Sequence, residues 1–280
     1  MRTLALILAL CVSGPMLGAR ALQYTPDPGT ELLHRPLDQI LDINVRDGLV
    51  YYRALKSERG RLDRYIVSLN VPAATYQSWS KVRQMAFWVD TYNAVILQTV
   101  INHYPIRSRS TSYPANSIRQ IPGYEQAAFR AAGRAVTLEQ IEKTILPEFK
   151  EPRLYLALGR GAVGSGRLRS EAYTGDRLEK QLANLQQEFV TDRQMVRIDR
   201  MTNQMSITPI LSWREREFVA AYDKADPAFA ERSPIERAIL TFLKPGLLPL
   251  EKEFVQQNAF KVVFHEFDWR LNDLTGGRIE

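Results

Sequence analysis

Apolar positions recur at helical spacing along most of the chain. Between Glu31 and Ile43 they fall at Leu33, Leu37, Ile40 and Leu41, which predicts an amphipathic helix. Leu49-Val50-Tyr51-Tyr52 reads either as a short strand or as the lead into a helix from Ala54 to Leu69, and Pro72 then turns the chain. Met85–Ile101 (MAFWVDTYNAVILQTVI) is apolar on nearly every side, the pattern of a helix buried in a core. Asp90, Asn93 and Gln98 argue against a membrane span there, and the helix should stop before Tyr104-Pro105.

Later segments are shorter. Pro105 to Ala135 lacks periodicity and holds Arg107, Arg109, Arg119, Arg130 and Arg134 against one acid, Glu125. A loop of this length in a compact domain is usually functional or disordered. Thr137 with Gln140 forms a capping box, stapled by Val136 and Ile141, and Asp176 with Glu179 predicts a second capped helix running to about Val190. Arg153–Leu158 (RLYLAL) reads as a buried strand. Met195–Asp199 and Gln204–Thr208 alternate with period two and predict a hairpin, and Phe260–Asp268 a closing strand. Helices are expected over Ile210–Tyr222, from the Ser233-Pro234-Ile235-Glu236 start to Leu243, and over Glu251–Asn258. The fold class is therefore α+β: one mostly helical domain over residues 31–280, with a small antiparallel sheet from the later half of the chain.

Composition adds a cellular setting. The first 21 residues carry a basic Arg2, an apolar run from Leu4 to Val12 and an Ala19-Arg20-Ala21 cleavage signal, so they read as an export signal. Residues 22–30 read as a spacer, and the expected location is exported, periplasmic or extracellular. Leu10 before Cys11 argues against a lipid anchor. Cleavage would remove the one cysteine, leaving neither disulfides nor thiolate chemistry. The net charge of +6 is too small for the strongly basic face of a nucleic-acid binder. No transmembrane span is expected after the leader, and partners are limited to an unknown anionic ligand or another protein.

Candidate chemistry gathers in Gly159–Arg169. Gly159, Gly161 and Gly164 match G-x-G-x-x-G, but Gly166 and Gly175 interrupt the helix that a dinucleotide would need, so no nucleotide cofactor is implied. Arg160, Gly161, Gly164, Ser165, Arg167 and Arg169 could instead form an anion-binding loop, with arginine forks beside unhindered backbone N–H groups. The same residues also suit a tight structural loop. Under the first reading they border one pocket, roofed by the loop from Pro105 to Ala135. Ser165 lacks the glycines two positions away on either side that a nucleophile elbow needs, with Val163 and Arg167 there instead, and would need a base such as His265. Asp90 and Asn93, three apart on a buried helix face, must find partners and are expected to share a polar core cluster with Asp268 and Asn272. No metal site is expected: Glu266 and Asp268 lack a third ligand.

The stretches Ala86–Ala94, Tyr104-Pro105, Thr137–Leu146, Arg153–Tyr173, Ile210–Phe218 and Phe267–Asn272 together resemble the family catalogued as domain of unknown function 547. The resemblance implies a compact, largely helical domain and no established reaction. Many members have Cys-Pro where Ser165-Gly166 stand and a histidine where Lys143 stands, so thiol chemistry is not carried over. Two functions remain open: an exported protein binding an anionic small molecule, glycan or peptide terminus through the Gly/Arg loop, or a hydrolase or transferase using Ser165 or a buried carboxylate such as Asp90.

Overall fold

The computed structural model describes residues 28–224 and 226–276. The expected export signal, Cys11 and most of the expected spacer lie outside these residues. Helix α1 (Pro28–Asn44) starts inside the expected spacer, with proline in its first turn, where a missing N–H costs nothing. It runs into a tight hairpin, β1 (Val45–Arg46) and β2 (Leu49–Val50), turned by Asp47 and Gly48 at positive φ. At Gly48 an added Cβ would lie 2.7 Å from the Arg167 main chain, so only glycine fits. The expected helix over Ala54–Leu69 is two helices, α2 (Tyr52–Ser57) and α3 (Gly60–Ser68), and short α4 (Ala73–Gln77) follows.

Helix α5 (Lys81–His103) is the central element. Ser80 caps its start and its middle is buried all round, as its apolar pattern predicts. Helices α1, α2 and α3 pack against it. Among the described residues no helix is long and apolar enough to cross a membrane.

The segment after α5 is ordered rather than featureless. Gln120 ties it together: its Oε1 accepts from Arg109 N–H and Ser110 N–H, and its Nε2 donates to the carbonyls of Ser110, Tyr113 and Pro114. It ends in an unexpected hairpin, β3 (Phe129–Ala131) and β4 (Arg134–Val136), turned at Ala132-Gly133. The Thr137/Gln140 capping box forms as expected and starts α6 (Leu138–Gln140), which continues as wider and then tighter helical turns to Phe149.

Arg153–Leu158 is not a strand: residues Pro152–Leu156 form a 3-10 helix, capped by Glu151 and begun by Pro152. Helix α7 (Leu178–Thr191) has Arg177 at its N-cap with no side-chain cap bond, and Glu179 pairs with Arg153 instead. The expected Asp176/Glu179 box is not made.

Strands β5 (Val196–Asp199) and β6 (Gln204–Ile207) form the expected antiparallel hairpin. Four helices intervene: α8 (Ile210–Trp213), α9 (Glu215–Tyr222), α10 (Pro234–Leu243) and α11 (Pro249–Gln257). Strand β7 (Lys261–Phe264) then lies parallel to β6, so this sheet is mixed rather than antiparallel, and the closing strand is shorter than its sequence suggests. The helix expected over Ile210–Tyr222 breaks at Arg214, whose side chain turns inward to Glu142. One continuous core runs from Leu37 to Leu271, with Trp88, Tyr52, Tyr65 and Tyr155 among its largest fully buried side chains. The fold is α+β and mostly helical.

Candidate ligand-binding site

The Gly/Arg segment is fastened to the core by its own backbone. Asn93 of α5 accepts from Gly159 N–H at 2.8 Å and donates to Ala157 C=O at 3.0 Å. Arg160 N–H donates to Ser165 Oγ, Val163 N–H to Arg270 C=O, Gly164 N–H to Asp268 C=O and Ser165 N–H to Ala162 C=O. These amides are therefore occupied and do not form an anion-binding nest. The glycines serve close packing. A Cβ on Gly161 would meet Ile118 at 3.1 Å, and one on Gly164 would meet the Asp268 main chain at 2.7 Å.

The arginines do not border one pocket. Arg160 points inward, 5% exposed, and pairs with Glu142 at 2.8 Å while also donating to the Tyr155 carbonyl. Arg214 and the Tyr92 hydroxyl reach the same carboxylate. Burial raises the Glu142 pKa, but the two guanidiniums outweigh it and hold the group down at about 2. Arg167 and Arg169 open instead onto a cleft with Asp38, Asp42, Asp47, Glu171 and Glu188, where Arg169 is matched by Glu171 and Glu188. That cleft has more carboxylates than guanidiniums, so it does not suit an anion. The loop from Pro105 to Ala135 touches Gly161 through Ile118, but it carries Tyr113 and Arg119 to Trp269 rather than roofing the arginines.

Ser165 is buried, and no histidine or carboxylate among the described residues is hydrogen-bonded to it. A serine without a base has no route to nucleophilic attack. The four residues of the expected polar cluster likewise stand at four separate places. Asp90 accepts from Tyr173 N–H and lies 3.2 Å from His34 Nδ1, which also meets the Tyr65 hydroxyl at 2.7 Å. Asn93 clamps the glycine segment. Asn272 accepts from the Tyr52 hydroxyl and donates to Gly48 C=O. Asp268 stands apart, partly exposed and paired with Arg270. Its strand ends at Phe264, so the chain never carries it to the helix core.

A different cleft, about 290 Å³, has the composition of a binding site. Arg193, Arg197 and Arg270 line it against two carboxylates, Glu266 and Asp268, together with Gly164, Ser206, Thr208 and His265. Strand pairing places Arg197 opposite Ser206, and His265 follows β7 with its N–H on the Ile207 carbonyl. Arg193 and Arg197 are exposed and make no ion pair among the described residues. Thr208 Oγ1 is buried and has no hydrogen-bond partner. Burial lowers the His265 pKa, the Gln194 main chain pulls it back up, and Arg197 lowers it again, so the imidazole is neutral near neutral pH. Its Nδ1 lies 3.3 Å from Ser206 Oγ. The cleft's glycine amide, Gly164 N–H, is already occupied by the Asp268 carbonyl, which removes it as an oxyanion donor. This arrangement suits hydrogen bonding to a ligand better than attack on one.

Sequence reasoning found Gly164, His265 and Asp268 but missed Arg193, Arg197, Ser206 and Thr208. Their signal was available in the period-two reading of the hairpin, which sets Ser206 and Thr208 on one face. Among the described residues no three histidine or carboxylate side chains converge to hold a metal ion.

Residues 76–190 match the model of the family described as protein of unknown function DUF547. The match covers α5, the capping box and the Gly/Arg segment; the stretches Ile210–Phe218 and Phe267–Asn272 lie beyond it. No curated protein matches the chain, and no solved structure matches it.

Proposed function

We propose that this chain is a binding protein of the family of unknown function 547, and that the cleft beside β6 and β7 holds the anionic group of a small molecule, glycan or peptide terminus. The observation that carries the reading is the meeting of two exposed guanidiniums that make no ion pair among the described residues, Arg193 and Arg197, with a buried, unpartnered Thr208 hydroxyl in one concave site. Guanidinium forks suit carboxylate and phosphate, and a buried hydroxyl without a partner is costly until a ligand supplies one. The site thus moves from the arginines of Gly159–Arg169 to those of the neighbouring hairpin. The leader ending at Ala21 supports an exported setting. The alternative of a hydrolase or transferase using Ser165 or Asp90 has less support, because Ser165 lacks a base and Asp90 is 1% exposed.

Calorimetric titration with citrate, glucuronate and inorganic phosphate at two salt concentrations tests the proposal. At least one of these anions should bind the wild type, more weakly at high salt. The Arg193→Ala/Arg197→Ala double variant should bind it at least about tenfold more weakly, with a smaller salt dependence. Equal affinity in both proteins would overturn the reading.

A further inference from the structure

The cleft does not end at Phe267. That ring is 4.4 Å from Trp269 and 5.0 Å from Trp213, whose two indole planes lie 17° apart with centres 6.3 Å from each other. Tyr113 meets Trp269 edge-on at 6.2 Å, and the Arg119 guanidinium stacks over Trp269 at 4.1 Å. Trp213 is 44% exposed and Tyr113 37%, while Phe267 and Trp269 are half-buried. A lone exposed aromatic is ordinary, but four in contact on one surface mark an interaction site. Their positions are fixed from three directions: α8 supplies Trp213, the chain after β7 supplies Phe267 and Trp269, and the Gln120-tied loop supplies Tyr113.

We infer that the ligand is an acidic saccharide chain, whose charged group sits in the cleft while neighbouring sugar rings stack on this aromatic ledge. The inference rests on the anion-binding reading above and adds a ligand class to it. Pyranose rings present apolar C–H faces to flat aromatic surfaces and keep their hydroxyls in water, which matches an exposed ledge of indole and phenol rings. Arg193 and Arg197 next to it, which make no ion pair among the described residues, complement a uronic-acid carboxylate. An added peptide strand would need free main-chain groups along Phe267–Arg270. The carbonyls of Asp268 and Arg270 are instead occupied by Gly164 and Val163 N–H.

The test is a tryptophan-fluorescence titration with four probes: a uronic-acid tetrasaccharide, its monosaccharide, a neutral glucose tetrasaccharide and a tetraglutamate peptide. Wild type is compared with Trp213→Ala, Tyr113→Ala and the Arg193→Ala/Arg197→Ala double variant. The acidic tetrasaccharide should bind wild type at least about tenfold tighter than the monosaccharide and change the emission. Trp213→Ala should abolish that gain and Tyr113→Ala reduce it, both leaving monosaccharide affinity unchanged. A tetrasaccharide no tighter than the monosaccharide, a gain that survives in Trp213→Ala, or tetraglutamate binding equally well through Trp213 would overturn the inference while sparing the anion site. Acidic probes that fail to bind wild type at all would overturn both readings. Tetrasaccharide binding indifferent to the arginine double variant would overturn the assignment of the charged group to the cleft.

Discussion

Arg160 and Arg167 belong to one arginine-rich stretch yet carry very different weight. Arg160 is sealed inside the protein against Glu142, whereas Arg167 is 60% exposed and only 3.9 Å from an exposed Asp47. A buried charge that loses its partner is stranded, which typically costs about 3–5 kcal/mol, while exposed pairs are worth about 0–1 kcal/mol. Arg160→Ala should therefore lower the unfolding free energy by about 3–5 kcal/mol in chemical denaturation. Arg167→Ala should shift it by less than about 0.5 kcal/mol. Equal effects would show that Arg160 is not buried as described. The sequence marks this stretch as rich in donors, but nothing local says which guanidinium turns inward. That depends on Glu142 and Arg214, which stand far from Arg160 along the chain and meet it only in the fold.

Helix starts are where local sequence and structure agree best, because a capping box is made within four residues. Ser233 and Glu236 make both of their reciprocal bonds at α10, as Thr137 and Gln140 do at α6. Asp176 and Glu179 have the same spacing without the same outcome, since Glu179 is drawn to Arg153. Ser233→Ala should cost about 1 kcal/mol of stability. Glu179→Ala should cost less than about 0.5 kcal/mol, as Glu179 serves only an exposed ion pair. Thermal unfolding of both variants checks this, and an equal loss would mean that α7 is capped after all. Strand expectations fared worse for a physical reason. An apolar run such as Arg153–Leu158 fits a buried strand or a buried helical turn equally well, and Pro152 together with the Glu151 cap decides for the turn. The β3–β4 hairpin escaped notice because its Ala132-Gly133 turn is a weaker signal than Asn-Gly or Asp-Gly.

Across the whole molecule, α1, α3, α5 and the chain at Tyr173 meet at one buried polar group, His34 with Asp90 and Tyr65. That Asp90 would need a partner is legible from its apolar helix; that the partner is His34 is not, because only the packing of α1 on α5 brings them together. Burial, and secondarily Arg83, push the His34 pKa down to about 3, so the imidazole is neutral. Burial pushes the Asp90 carboxyl well up against the opposing pull of Tyr173 N–H, with Asp38 and Glu171 adding to the rise and Arg177 opposing it. The folded pair thus keeps one proton, on Asp90. Between the ordinary pKa values of 3.8 and 6.5 the unfolded chain also binds one proton, on His34. The two states then differ by no proton at this pair, and its contribution to stability is flat across that window. Single substitutions should unmask opposite slopes. In Asp90→Asn only the unfolded chain binds the proton, so stability should fall as pH drops below 6.5. In His34→Gln only the folded chain binds it, so stability should fall as pH rises above 3.8. Each slope can reach roughly 1 kcal/mol per pH unit. Groups such as Glu142 and His265 titrate alike in all three proteins, so differences in denaturant stability between pH 4 and 6.5 isolate the pair. Two variants whose pH profiles run parallel to wild type would show that His34 and Asp90 do not share a buried proton.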